Sequence, residues 1–148
     1  MKNYLSLLIV LPMLLLVAIG CSDTAKTKET GAKPAEMNKP ARLDGYSIKG
    51  IKFAWYKVPA GLNGDEIIAT AQKIHEREPD TQLLLIDDDS QMRDYISYAK
   101  AISGQGEIDK PMPAEWADKH IIANVQKYTS GKFVLCEGNG SKEIADLK

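Results

Sequence analysis

The chain has 148 residues, of which 44% are hydrophobic and 26% are charged, and its net charge is −1 at pH 7. Residues 43–148 suffice for one domain with a single core but are too few for two. They carry 13 basic and 17 acidic side chains, a net charge of −4. This balance argues against a nucleic-acid partner, because nucleic-acid binding needs a concentrated basic face.

The N-terminal segment has the layout of a secretory signal peptide. Lys2 is the only charged side chain before Asp23, and an apolar run follows it from Leu5 to Val17. That run is 13 residues long, whereas a helix that spans a bilayer needs roughly 17 to 25 apolar residues. We therefore predict a cleaved signal peptide at residues 1–20 rather than a permanent transmembrane helix.

The tetrad at 18–21, Ala-Ile-Gly-Cys, resembles the lipobox of bacterial prolipoproteins. The resemblance covers only the first 21 residues, and Ala18 stands where the family usually has leucine. It implies that Gly20 precedes the signal cleavage site and that Cys21 becomes the first mature residue, thioether-linked to a diacylglycerol. Two or three acyl chains provide the anchor that stable membrane attachment requires.

The same resemblance predicts an exported protein anchored at a membrane surface. Ser22 follows the cysteine, which resembles an outer-membrane lipoprotein if the source is Gram-negative; in a Gram-positive source the site is the outer face of the plasma membrane. We expect no cofactor besides the covalent lipid on Cys21. The only other cysteine, Cys136, lies in an apolar run and is predicted to be a small buried hydrophobe.

Residues 21–42 are predicted to carry the lipidated cysteine and a disordered tether. The stretch from Ser22 to Arg42 is rich in Lys, Thr, Ala and Pro and has neither an aromatic residue nor an apolar run. Such a composition cannot bury enough apolar surface to offset the entropy of ordering. Residues 43–148 then form the single globular domain.

The first half of this domain predicts two strands, each followed by a helix. Apolar and polar residues alternate over 51–58, which is typical of a strand. Asn63 and Glu66 form a variant capping box before apolar residues at helical spacing, and Pro79 ends that pattern. The continuous apolar run Leu83–Ile86 suits a central strand covered on both faces. A second helix is predicted from about Ser90 to Ile102.

The second half predicts a loop, a helical turn at 113–118 and a β-hairpin. Residues 120–128 fit either a strand or a helix, and we choose a strand because 129–131 can turn directly into the clearer strand Phe133–Glu137. The predicted fold class is α/β (α+β), a small mixed sheet with the order β-α-β-α followed by a hairpin and with the helices packed on the sheet. A tail with Ile144 and Leu147 docks on the sheet edge.

An acidic run follows the predicted central strand. Residues 84–93 resemble the first strand and acidic loop of response-regulator receiver domains, but no later strand-ending aspartate is placed to accept a phosphoryl group. Clustered carboxylates at the end of a parallel strand suit a divalent cation, so Asp87, Asp88 and Asp89 are the candidate ligands, together with His120. Consecutive side chains point in different directions, however, and we favour Asp89 or Ser90 as a helix N-cap. No metal site is predicted.

The remaining residues show no recognisable catalytic set. His75 and His120 lack a metal-ligand spacing such as HExxH, and we assign both a structural or surface role, with His75 at the edge of an amphipathic face. We predict no catalytic residue, and we favour a non-enzyme while the enzyme alternative stays open. Tyr98 and Trp116 are candidates for a contact surface, because tyrosine and tryptophan often anchor protein contacts.

Two functional hypotheses follow. In the first, which we favour, the chain is an envelope lipoprotein whose domain binds another protein, in the manner of an accessory, inhibitor or immunity lipoprotein. In the second, the domain is a metal-binding or hydrolytic module that uses the cluster Asp87–Asp89 with His120.

Overall fold

A computed structural model describes residues 39–148, which form one mixed sheet with three helices, an α+β domain. The predicted signal peptide, Cys21 and most of the predicted tether lie outside the described residues. Within 39–148, no helix is both long enough and apolar enough to cross a membrane. The elements in chain order are β1 (Ala41–Ile48), β2 (Ile51–Lys57), α1 (Gly64–His75), β3 (Thr81–Ile86), α2 (Met92–Ile102), α3 (Ala114–His120), β4 (Ile121–Lys127), β5 (Phe133–Glu137) and β6 (Glu143–Leu147).

The six strands lie in the sheet in the order in which they occur along the chain. Only β2 and β3 are parallel, and α1 connects them; every other neighbouring pair is antiparallel. The predicted order β-α-β-α followed by a hairpin is confirmed by β2 to β5, with α3 placed before the hairpin. The strand alternative for 120–128 is also confirmed.

Both faces of the sheet are covered, which gives the domain two apolar layers. On one face, α1 packs over Ala54 and Tyr56 of β2 and over Leu83 and Leu85 of β3. On the other face, α2 and α3 pack over alternate residues of the same strands. That second layer contains Trp55, Leu84, Ile86, Met92, Ile96 and Trp116. Because neighbouring strand residues face opposite ways, the continuous run of β3 supplies both layers, as the sequence predicted.

One unpredicted strand and the predicted tail form the two edges of the sheet. β1 begins at Ala41, inside the segment interpreted as tether, and a turn at Lys49 and Gly50 connects it to β2. Both turn residues have positive φ, 50° and 83°, which is the backbone of a type I′ hairpin turn. At the opposite edge, the tail with Ile144 and Leu147 docks as β6 beside β5, in agreement with the sequence.

The predicted capping box begins α1. The Asn63 side chain accepts a hydrogen bond from the Glu66 amide at 3.0 Å, and the Glu66 carboxylate accepts one from the Asn63 amide at 2.9 Å. Two of the unpaired amides at the helix start are thereby satisfied. The helix ends at His75, before Pro79.

We expect Asn63→Ala to lower the free energy of unfolding by about 1 kcal/mol, because it leaves the Glu66 amide without an acceptor. The measurement is urea denaturation of the full chain. Glu66→Gln is the matched control, since glutamine still reaches back to the Asn63 amide. An equal loss of stability in both variants would show that the cap does not act through the Asn63 side chain.

Candidate functional site

The four acidic-cluster candidates come together where β3 ends. Asp87 directly follows β3, and its amide donates a hydrogen bond to the carbonyl of His120 at 3.2 Å. His120 ends α3 and precedes β4, which runs antiparallel to β3 with Ile121 opposite Ile86. The neighbouring parallel strand ends here as well, with Lys57 opposite Ile86. The topology therefore places these side chains at the carboxyl end of β3, inside the sheet order.

Asp87 and His120 form a carboxylate–imidazole pair. The distance between Asp87 Oδ1 and His120 Nδ1 is 2.8 Å, and each side chain is 22% exposed. A carboxylate accepts hydrogen bonds, so this contact places a proton on Nδ1 and leaves Nε2 with a lone pair when the ring is neutral. Nε2 lies 3.9 Å from Asp88 Oδ2. The pair fixes the orientation of the imidazole.

Asp88 is held by three donors of its own. Its Oδ2 accepts hydrogen bonds from the Ser90 hydroxyl at 2.6 Å and from the indole Nε1 of Trp116 at 3.1 Å. Its Oδ1 accepts one from the Ser90 amide at 3.2 Å. These bonds favour the ionised carboxylate, and the Ser90 hydroxyl contributes most to a lowered pKa of Asp88.

Asp89 contacts the last residue of β2, Lys57. Its Oδ1 lies 2.6 Å from Lys57 Nζ, and this contact lowers the pKa of Asp89 and raises the pKa of Lys57. The three consecutive carboxylates thus contact three different partners: an imidazole, a hydroxyl with an indole, and an ammonium group. Across residues 39–148, no group of three or more His, Cys, Asp or Glu side chains is arranged to hold a metal ion.

The prediction that Asp89 or Ser90 caps α2 is wrong. The N-cap is Gln91, whose side chain makes no capping hydrogen bond, and α2 begins at Met92. The physical reason is competition, since Lys57 takes the Asp89 carboxylate and Asp88 takes the Ser90 hydroxyl. Asp88 instead closes a local turn through the Ser90 amide.

The structure separates the two predicted contact residues. Trp116 is only 4% exposed and packs against Trp55 with ring centroids 6.2 Å apart, so its assignment to a contact surface is wrong. A large ring that can donate its N–H to Asp88 is more stable in the core than in solvent. Tyr98 is half-buried and lines a cavity of about 220 Å³ with Asp94, Ile108 and Lys110. Its contact role stays a prediction.

The two histidines have different environments. His75 is 5% exposed and packs against Phe133 with ring centroids 4.6 Å apart, so it lies in the core rather than at the edge of the helix face. Among residues 39–148, no hydrogen-bond partner reaches its Nδ1. Burial lowers the pKa of His75, and the carboxylates of Asp80 and Glu76 oppose this effect without overcoming it.

Cys136 is fully buried in β5, as the sequence predicted. Burial raises the pKa of its thiol, which keeps the thiol protonated and therefore weakly nucleophilic.

Sequence reasoning missed an ionic cluster at the start of β1. Arg42 Nε lies 2.8 Å from Glu78 Oε1, and the Tyr56 hydroxyl donates to the same carboxylate. Desolvation and this carboxylate raise the pKa of Tyr56 to about 12. The only sequence signal for this arrangement is the Lys-Gly pair at 49–50 between apolar residues, which marks the hairpin that places Arg42 opposite Tyr56 of β2.

No known protein family matches the chain, and no curated protein or solved structure shows significant similarity to it.

We expect the free energy of unfolding to fall as pH decreases below about 6.5, the ordinary histidine value. The lowered pKa of folded His75 means that the unfolded chain binds the proton more readily, so stability is present above this range and is lost as His75 becomes charged. The measurement is urea denaturation of the full chain at about pH 7 and about pH 5.5.

His75→Gln should remove this part of the pH dependence, because glutamine does not titrate. His120→Gln is the matched control and should retain it. If His75→Gln lost as much stability between the two pH values as the natural chain, another group would be responsible.

We expect Mg²⁺, Ca²⁺, Mn²⁺ and Zn²⁺ to leave the melting temperature of the full chain unchanged, because each carboxylate of the cluster already has an intramolecular partner. An ion present at about 100 times its Kd would stabilise the fold by about 2.7 kcal/mol, an increase of several degrees. A shift of that size with one ion, reversed by chelation and lost when Asp87 and Asp88 are both replaced by Ala, would contradict this expectation.

Proposed function

We propose that this chain is an envelope lipoprotein, anchored through a lipid on Cys21, whose α+β domain binds another protein and performs no catalysis. The observation that carries this proposal is an apolar groove between α2 and an open sheet edge, lined by Tyr46, Ile48 and Ile102. Ile102, at the end of α2, is 62% exposed, and Ile51, at the start of β2, is 47% exposed. Large exposed aliphatic side chains near an unpaired strand are typical of a protein contact.

The engagement of the acidic cluster supports binding rather than chemistry. Asp87, Asp88 and Asp89 are each held by side chains of the domain. A hydrolytic or metal-dependent mechanism would have to break these contacts before the carboxylates could contact a substrate or an ion. Pairs of this kind instead connect the end of β3 to the neighbouring elements.

The proposed anchor suits recruitment of an envelope partner. Nineteen residues lie between Cys21 and Ala41, the first residue of β1, and a fully extended chain of that length spans at most about 70 Å. A partner within this distance of the membrane is accessible to the domain. In a Gram-negative source the proposed location is the outer membrane, and in a Gram-positive source it is the outer face of the plasma membrane.

One geometric feature favours a second candidate function. The Asp87–His120 pair, with Asp88 Oδ2 at 3.9 Å from Nε2, is a carboxylate–imidazole arrangement at the carboxyl end of a parallel strand, where α/β proteins often bind ligands. A metal-binding or hydrolytic domain would use these residues. The divalent-ion melt described above tests this candidate directly.

The proposed function predicts that chemical crosslinking in cells of the source bacterium captures a defined partner on the full lipoprotein. A chain that carries only residues 1–40 is the control for contacts made by the anchor and tether. Cys21→Ser is the second control, because it should move the protein out of the membrane fraction and reduce capture. Recovery of nothing above the 1–40 control would refute a protein-binding function.

A further inference from the structure

β1 is an open edge of the sheet, and its outward backbone groups can be identified. A two-residue hairpin makes the closing pair, Ile48 and Ile51, a hydrogen-bonded pair. The antiparallel ladder alternates, so Gly45 and Ser47 direct their backbone groups away from β2. The Gly45 amide agrees with this assignment, since it donates to the carboxylate of Asp44 at 2.7 Å rather than to β2. Among residues 39–148, no strand pairs with this outer edge.

The face of this edge that carries α2 offers an apolar groove. A cavity of about 430 Å³ lies between β1 and α2, lined by aromatic and aliphatic side chains. They include Tyr46, Ile48, Phe53, Tyr95 and Ile102. Two of these rings, Tyr46 and Phe53, stack with centroids 5.1 Å apart. Alternate side chains of an added strand would enter it.

The face that carries α1 offers a polar cavity of about 490 Å³ beside the same strand. Three basic side chains line it, Arg42, Lys52 and Arg77, together with the acidic Glu78 and Asp80. Arg42 pairs with Glu78, whereas Lys52 and Arg77 make no ion pair within the described part of the chain. This cavity therefore has a surplus of positive charge.

We propose that the β1 edge binds an extended peptide segment of the protein partner, with apolar side chains on the α2 face and acidic side chains on the α1 face. The proposal rests on the proposed protein-binding function and specifies its surface and ligand class. Side chains of a strand alternate between the two faces, so one alternating segment fits both cavities at once. Backbone hydrogen bonds to Gly45 and Ser47 would provide affinity, and the two cavities would provide specificity.

Two features of β1 limit where the segment can pair. A bulge between Arg42 and Asp44 interrupts the ladder, and a Cβ at Gly45 would collide with the Arg42 guanidinium, which lies across the strand. The regular part of the edge is therefore 45–48. The incoming strand would replace the Asp44 carboxylate at the Gly45 amide.

The test is fluorescence anisotropy of the full chain in detergent with a fluorescein-labelled octapeptide of alternating valine and glutamate. Two control peptides have alternating valine and lysine, or four valines followed by four glutamates. We expect the alternating acidic peptide to bind at least about tenfold more tightly than either control. Equal binding of the block peptide would overturn the proposal, because that peptide has the same composition but the wrong period.

Variants separate the backbone from the cavities. Ser47→Pro removes an outward N–H at an edge position where proline is tolerated, and Ile102→Asp places a charge in the apolar groove. Each should weaken peptide binding at least about tenfold. Ile108→Asp is the matched control, since Ile108 is 60% exposed and lies outside the groove; its binding should stay within about twofold. Unchanged peptide binding in both Ser47→Pro and Ile102→Asp would refute the proposal.

Lys52→Glu tests the charge preference of the α1-face cavity. It should reverse the peptide preference, so that the valine–lysine peptide binds better than the valine–glutamate peptide. Lys119→Glu, on α3, is the matched control and should retain the original preference. An unaltered preference in Lys52→Glu would contradict the acidic half of the proposal.

Two further measurements distinguish the possible failures. If crosslinking captures a partner equally well with the natural chain and with Ser47→Pro, the protein-binding function stands but the β1 edge is not its site. If the peptides do not bind and Ile102→Asp instead abolishes binding to phosphatidylglycerol vesicles, the exposed isoleucines contact lipid and the proposal is overturned.

Discussion

The burial of β3 on both faces is the constraint on which the rest of the domain depends. A strand that is apolar at every position from Leu83 to Ile86 requires cover above and below the sheet, and the chain supplies it with α1 on one side and with α2 and α3 on the other. The parallel pairing of β2 with β3 follows, because α1 has to cross over the sheet between them. The connection from β3 to the antiparallel strand β4 contains α2 and α3, which cover the second face.

This constraint also explains why the aspartates that follow β3 have partners from several elements. Three aspartates follow β3 in succession, and neighbouring elements supply their partners. Asp87 contacts His120, Asp88 contacts Ser90 and Trp116, and Asp89 contacts Lys57. The Ser90 hydroxyl lowers the pKa of Asp88 and Lys57 lowers the pKa of Asp89, which favours their ionised forms. The acidic cluster consequently connects neighbouring elements to one another. The open surface lies elsewhere, at the other end of α2 and along β1.

Local patterns in the sequence were sufficient for the central elements. The period of two in β2, the unbroken apolar run of β3 and the Asn63–Glu66 spacing each follow from short-range physics. β1 could not be predicted in this way, because a bulge after Arg42 and a glycine at position 45 break its alternation and only pairing with β2 makes it a strand. The proximity of His120 to Asp87 arises from the β3–β4 register across 33 residues, which the sequence does not encode locally. Composition likewise could not show that Trp116 is taken into the core.

The position of β1 has a mechanical consequence. Under the proposed anchoring, any pull between the membrane and the domain enters at Ala41, the end of β1 farthest from the hairpin turn. Force applied there separates the residue pairs of the β1–β2 ladder one after another, instead of loading all its hydrogen bonds together. The Arg42–Glu78 ion pair lies at this end of β1 and connects it to the turn between α1 and β3. Tension on the tether would thus be felt first by the edge strand, while the doubly covered strands behind it remain shielded from load.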